Sequence, residues 1–197
     1  MVAASGPSLN EEIAQACAGL HVIAVNDAYR LFPFADVLYA CDGSWWDLHS
    51  GCLDFKGERW SSHGNKTHNE KLGIASRYGL KLISGRDAEG FSLDPNYIHY
   101  GGNSGFQAVN LAIHFLGGAG RIVLVGFDMR IVGGKRHFFG NHPATLMQTS
   151  AGYKAWPKQF ERAAKMLPKE IEIMNATPGS AMQCFPMVAL RDAIEAF

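Results

Sequence analysis

Val2-Ala3-Ala4-Ser5-Gly6-Pro7-Ser8-Leu9, followed by the helical spacing of Ile13, Ala14 and Cys17, decides the fold. A short apolar strand that turns through Gly and Pro into a helix leaves the first N–H groups of that helix unpaired. Those groups form the positive pole of the helix dipole and suit a phosphate. Ser8 reads as the N-cap, with Glu11 three residues on closing a capping box. From this turn alone, a phosphate seat and a capped helix that binds nothing are both open.

The rest of the chain repeats the pattern. Continuous apolar runs at His21–Val25, Val37–Cys41, Leu80–Ile83 and Arg121–Val125, with Glu170–Met174 behind them, suit strands covered on both faces of a parallel sheet. Helical patterns alternate with them over 70–78, from the Gly101-Gly102-Asn103-Ser104-Gly105 turn to Leu116, over 151–167 and over 187–196. Pro157 is read near the start of its helix, where a missing N–H costs little. The stretch 43–69 carries Trp45, Trp46 and Trp60 with no steady period and reads as an irregular excursion; 85–98 reads as loop. The expectation is one Rossmann-like α/β domain over 1–197, doubly wound around a mainly parallel sheet.

Composition bounds the function. A chain of 197 residues, 47% hydrophobic and 18% charged, has material for one full core. Lys+Arg and Asp+Glu balance at 18 each, so no global field supports nucleic-acid binding. No apolar run approaches the ~20 residues of a membrane span, and no basic-then-apolar leader is visible, so a cytoplasmic protein is expected. Cys17, Cys41, Cys52 and Cys184 lack C-x-x-C spacing, and Cys17 and Cys41 read as core.

In doubly wound sheets ligands bind beyond the carboxyl ends of the strands. Short polar residues and glycines gather there: Gly6 and Ser8, Asn26 and Asp27, Asp42, Gly126 and Asp128, and Asn175. Asp42 and Asp128 suit Mg²⁺ held between phosphates, or each caps a turn. Arg130 suits a phosphate. His137 and His142 lie in a glycine-rich loop over 132–143, read as mobile, and an imidazole there suits a proton acceptor at neutral pH. Trp45 and Trp46 either stack on a ligand ring or pack the excursion onto the sheet. A contact of His63 and His68, with Asn65 and Lys66, to an acceptor is weighed and set aside.

The G-P-S-L turn, the strand ending in Asn26-Asp27 and the strand ending in Cys41-Asp42 occur in a set order. A G-G-x-S-G turn, Gly126-Phe127-Asp128 and the run His137–His142 follow. This order resembles the superfamily that joins archaeal-type 6-hydroxymethylpterin pyrophosphokinases and their DUF115 relatives to bacterial family 42 sialyltransferases, with small phage and prophage members. The resemblance implies a transferase that uses a nucleotide, either a nucleotide-sugar donor or ATP with Mg²⁺, and a small-molecule or glycan acceptor. It assigns the nucleotide to Gly6, Pro7, Ser8, Asn26, Ser104, Gly105, Gly126 and Asp128, and gives the base role to His137 or His142. Asp27, Asp42, Gly102, Asn103 and Arg130 join the candidate nucleotide site from their own places at strand ends and turns. Ser5 stands where the sialyltransferases have Asn, and Met129-Arg130 where they have aromatic residues, which points away from a sialyl donor. A non-catalytic nucleotide-binding protein is the alternative from another class, and self-association is left open.

Overall fold

The computed structural model describes residues 1–63, 68–143 and 150–195. Its strands are β1 (Val2–Ala3), β2 (Ile23–Val25), β3 (Val37–Tyr39), β4 (Glu58–His63), β5 (Lys81–Arg86), β6 (Tyr97–His99), β7 (Gly120–Val125) and β8 (Ile171–Asn175). They form one sheet in the order β6-β5-β4-β3-β2-β1-β7-β8, and every pairing is parallel. From β1 the chain walks outward to β6. It then crosses back through helix α4 (Ser104–Phe115) to place β7 on the other side of β1. The topological switch point therefore lies between β1 and β7, where a doubly wound sheet opens a crevice at its carboxyl end.

Alternation along each strand sends neighbours to opposite faces. Val2, Ile23, Val37 and Leu124 face α4, whose Phe106, Val109 and Ile113 are buried against them, and Phe160 of α5 (Ser150–Lys165) joins that layer. Ala3, Ala24, Val123 and Val125 face the other way, under Leu9, Ala14 and Cys17 around α1 (Glu11–Ala16) and Ala193 of α6 (Leu190–Glu195). The doubly wound α/β expectation holds.

Several local expectations do not. The stretch 43–69 is not an irregular excursion. It contains α2 (Gly43–Leu48), a 3₁₀ turn (Ser50–Cys52), β4 inside the sheet, and the start of α3 (His68–Tyr78). β4 escaped pattern reading because its buried positions, Ser61 and Ser62, are polar. Ser62 Oγ donates to Gln107 Oε1 of α4 (2.7 Å), and that oxygen also accepts from Tyr39 (2.6 Å). Trp45 and Trp46 pack with Leu38 and Ala40 under Ile74 and Ala75 of α3; Trp46 is fully buried there, while Trp45 also lines the cavity at the carboxyl end of the sheet. Asn65 and Lys66 lie outside the described residues. The loop read over 85–98 gives up Gly85 and Arg86 to β5 and Tyr97 and Ile98 to β6.

Ser8 does not cap α1. Asn10 does, its Oδ1 accepting from the Ile13 N–H at 2.9 Å, because the Ser8 hydroxyl is engaged elsewhere. Pro157 lies inside α5 rather than near its start, seven residues after Ser150. No helix among the described residues is long and apolar enough to cross a membrane.

Candidate functional site

At the switch point β1 and β7 end side by side, and their continuations are laced together. The Gly6 N–H donates to the Gly126 carbonyl (2.9 Å), and the Ala4 N–H to that of Val125 (2.9 Å). A Cβ on Gly6 would collide with the Asp128 carboxylate and the Gly126 carbonyl, and one on Gly126 with the Ala4 carbonyl. Both positions demand glycine for close backbone approach.

The turn 6–8 is not an open phosphate seat. Asp128, 3% exposed, accepts the Ser8 N–H at 3.2 and 3.3 Å and the Ser8 hydroxyl at 2.8 Å. Pro7 has no N–H, and the Leu9 N–H goes back to the Gly6 carbonyl (3.1 Å). The carboxylate of Asp128 thus sits where the sequence suggested a phosphate. Burial raises its pKa, and the two Ser8 bonds pull it back down.

Beside this lock opens a cavity with about 180 Å³ accessible to water. That is less than the roughly 300–1,000 Å³ of clefts that enclose a whole drug-sized ligand. Its walls gather Gly6 and Pro7 from the first turn, Asn26 after β2, Asp42 after β3 and Gly102–Gly105 before α4. Gly126, Asp128 and Arg130 follow β7, and His137 and His142 close the other side. Of the strand-end residues named from sequence, Ser8, Asp27 and Asn175 do not line it; Asn175 is fully buried, its amide donating to the Met182 carbonyl and accepting the Thr177 N–H. Ser8 is turned into the lock, and Asp27 is buried behind the wall.

Each wall has its own chemistry. Asn103 caps α4 by accepting the Phe106 N–H (2.9 Å), and Ser104 Oγ donates to Cys41 Sγ (3.0 Å). Cys41, read as core, is therefore a cavity residue. No described residue accepts from the Ser104 and Gly105 N–H groups, the first two of a 12-residue helix. They carry the positive end of the α4 dipole into the cavity. Asn26 and Met129 hold left-handed backbone at φ 50° and 51°, an uncommon state for residues other than glycine. The buried Oδ1 of Asn26 has no hydrogen-bond partner among the described residues.

The loop 132–143 lies against the first turn. Antiparallel bridges join Val132 to Lys135 and His137 to Gly140, and the Phe138 N–H donates to the Ser5 carbonyl (3.1 Å). The His137 ring stacks on Phe139 (5.1 Å, 4°) and meets His142 edge-on (4.6 Å). Burial drives the His137 pKa down to about 4, with His142 adding to the effect and Asp27 opposing it. Burial also lowers His142, against the pull of Asp27 and Asp42. Both rings are uncharged at neutral pH.

Arg136, Tyr153 and Trp156 also line the cavity and were not singled out as site residues. Trp156 Nε1 donates to the Gly102 carbonyl (3.0 Å), and the Arg136 guanidinium lies 5.6 Å over the Tyr153 ring. Their signal was the i, i+3 spacing of Tyr153 and Trp156 along a helix that follows the His loop. Among the described residues, no three His, Cys, Asp or Glu side chains come together to hold a metal ion. Asp42 offers one carboxylate at the cavity wall, while Asp128 is committed to Ser8. Comparison with protein-family models, curated proteins and solved structures finds no match.

Proposed function

We propose that this chain is a nucleotide-dependent transferase that moves a sugar from a nucleotide-sugar donor to a hydroxyl-bearing acceptor. One observation carries the reading. A single cavity at the switch point is lined by the α4 N-terminus, by Arg130 and Arg136, and by two uncharged imidazoles. The donor phosphate lies on the Ser104 and Gly105 N–H groups with Arg130 beside it. The unpartnered Asn26 Oδ1 takes a hydroxyl or amino donor from the ligand. An imidazole takes the acceptor proton as the acceptor oxygen bonds to the anomeric carbon. The bond from that carbon to the phosphate oxygen breaks, and its electron pair leaves with the nucleotide. The cavity volume suits the phosphate and sugar, with the base over the rim.

Pyrophosphoryl transfer from ATP would ask Asp42 and Asp128 to share Mg²⁺ with the phosphates. The hydrogen bonds that tie Asp128 to Ser8 favour the glycosyl reading. A thermal-shift screen over CMP, UDP, GDP, ATP and their sugar conjugates, with and without Mg²⁺, tests it. Stabilisation by a nucleoside diphosphate or its sugar conjugate without Mg²⁺ is expected. Stabilisation by ATP only with Mg²⁺ would move the pyrophosphoryl reading ahead, and no response to any nucleotide would overturn both.

A further inference from the structure

We infer that Asp27 is a positioning residue for His142, holding the Nε2 side of the ring so that Nδ1 is the atom that takes the acceptor proton. The chemistry rests on the transferase reading above; the pairing itself does not. Asp27 follows β2 in a 3₁₀ turn and is 3% exposed, behind the cavity wall that His142 forms. Its Oδ2 accepts the Trp45 indole N–H at 2.9 Å and lies 3.8 Å from His142 Nε2. That gap is too long for a hydrogen bond but within ion-pair reach, and such contacts tighten when substrate fills a site. The Trp45 bond fixes the carboxylate, so the imidazole is the partner left to adjust.

The choice of His142 over His137 follows from the charges around each ring. Among the described residues no carboxylate lies within ion-pair distance of His137, whose ring is stacked on Phe139. His142 faces Asp27 and, further off, Asp42. His137 and Phe139 pack on it, while His49 and Arg30 approach the far oxygen of Asp27 at 3.6 and 3.7 Å. A carboxylate that receives Nε2–H fixes the neutral tautomer, leaves the Nδ1 lone pair open, and stabilises the imidazolium formed on proton transfer. The proton passes from the acceptor hydroxyl to Nδ1 while the acceptor oxygen replaces the nucleotide phosphate on the sugar carbon.

The test reads the ring directly. Long-range ¹H–¹⁵N spectra of labelled wild-type protein, with His142→Gln to assign the signal, give the tautomer of His142 above neutral pH. The Nε2–H form is expected, and the Nδ1–H form would overturn the proposal without any variant of Asp27. Asp27→Asn, which keeps an oxygen for Trp45, should move the His142 titration downward and leave distant His114 unchanged. An unmoved His142 would contradict the pairing. In the transferase assay the same variant should lower kcat by roughly 10²-fold with donor KM unchanged. If the transferase reading fails, wild-type protein binds no nucleotide and turns nothing over, whereas the tautomer and titration results stand by themselves.

Discussion

The carboxylate of Asp128 takes both the N–H and the hydroxyl of Ser8, joining two loops 120 residues apart across the switch point of the sheet. The bond closes the seam between β1 and β7 and uses the donors that would otherwise face a phosphate. Ser8→Ala should therefore act on stability. Loss of one hydrogen bond to a buried carboxylate costs about 1.5–3 kcal/mol. Urea unfolding should show a lower midpoint, and the Asp128 titration should rise further. An unchanged midpoint with weakened nucleotide affinity would return Ser8 to the binding site.

Gly6→Ala puts a methyl group against the Asp128 carboxylate and the Gly126 carbonyl, neither of which has room to yield. A loss of roughly 3 kcal/mol or more is expected. Gly73→Ala is the matched control, because nothing lies within 4 Å of its Cβ and it sits inside α3. That change should stabilise by up to about 1 kcal/mol through helix propensity. Thermal unfolding of the two variants should move in opposite directions.

Strand β7 was legible because Ile122–Val125 is one short β-branched-rich apolar run closed by Gly126, the pattern of a strand covered on both faces. β4 was not, because Ser61 and Ser62 are buried polar residues whose place in the core depends on Gln107, far away in sequence. The strand-end rule likewise brought Gly6, Asn26, Asp42, Gly126 and Asp128 to one cavity from sequence alone, though not Asn175, which is buried away from it. It missed the direction of Asp27, since the left-handed Asn26 turns the chain so that one residue faces the cavity and the next faces away from it. It missed the Asp128 lock for the same kind of reason: a contact between distant segments leaves no local pattern.

The buried histidines set the response to acid. His49, His114, His137 and His142 all have folded pKa values below the ordinary 6.5, with burial the largest cause. Below pH 6.5 the unfolded chain binds protons that the fold resists, so stability is full above that pH and falls toward pH 4. His137 alone, shifted from 6.5 to about 4, accounts for on the order of 3 kcal/mol across that window. His137→Phe keeps the stack on Phe139 and removes this titration. Melting temperatures across pH 4–7 should then fall less steeply than in wild type, and an equal slope would refute the assignment.

Arg130 should matter to the ligand and not to the fold. It lines the cavity, and Arg130→Ala leaves the Asp128–Ser8 bonds in place. Losing a charge-assisted bond to phosphate should weaken nucleotide binding by roughly 10- to 100-fold, with the melting temperature unchanged. Calorimetric titration of wild type and variant measures the ratio, and equal affinities would remove Arg130 from the phosphate site.

The most direct measurement is a crystal structure of the protein soaked in the nucleoside diphosphate sugar that stabilises it best. The phosphate should lie about 3 Å from the Ser104 and Gly105 N–H groups, in reach of Arg130, with the Asp128–Ser8 bonds intact. Phosphate bound on the Gly6–Ser8 turn with Asp128 displaced, or ligand bound elsewhere with this cavity empty, would contradict the account.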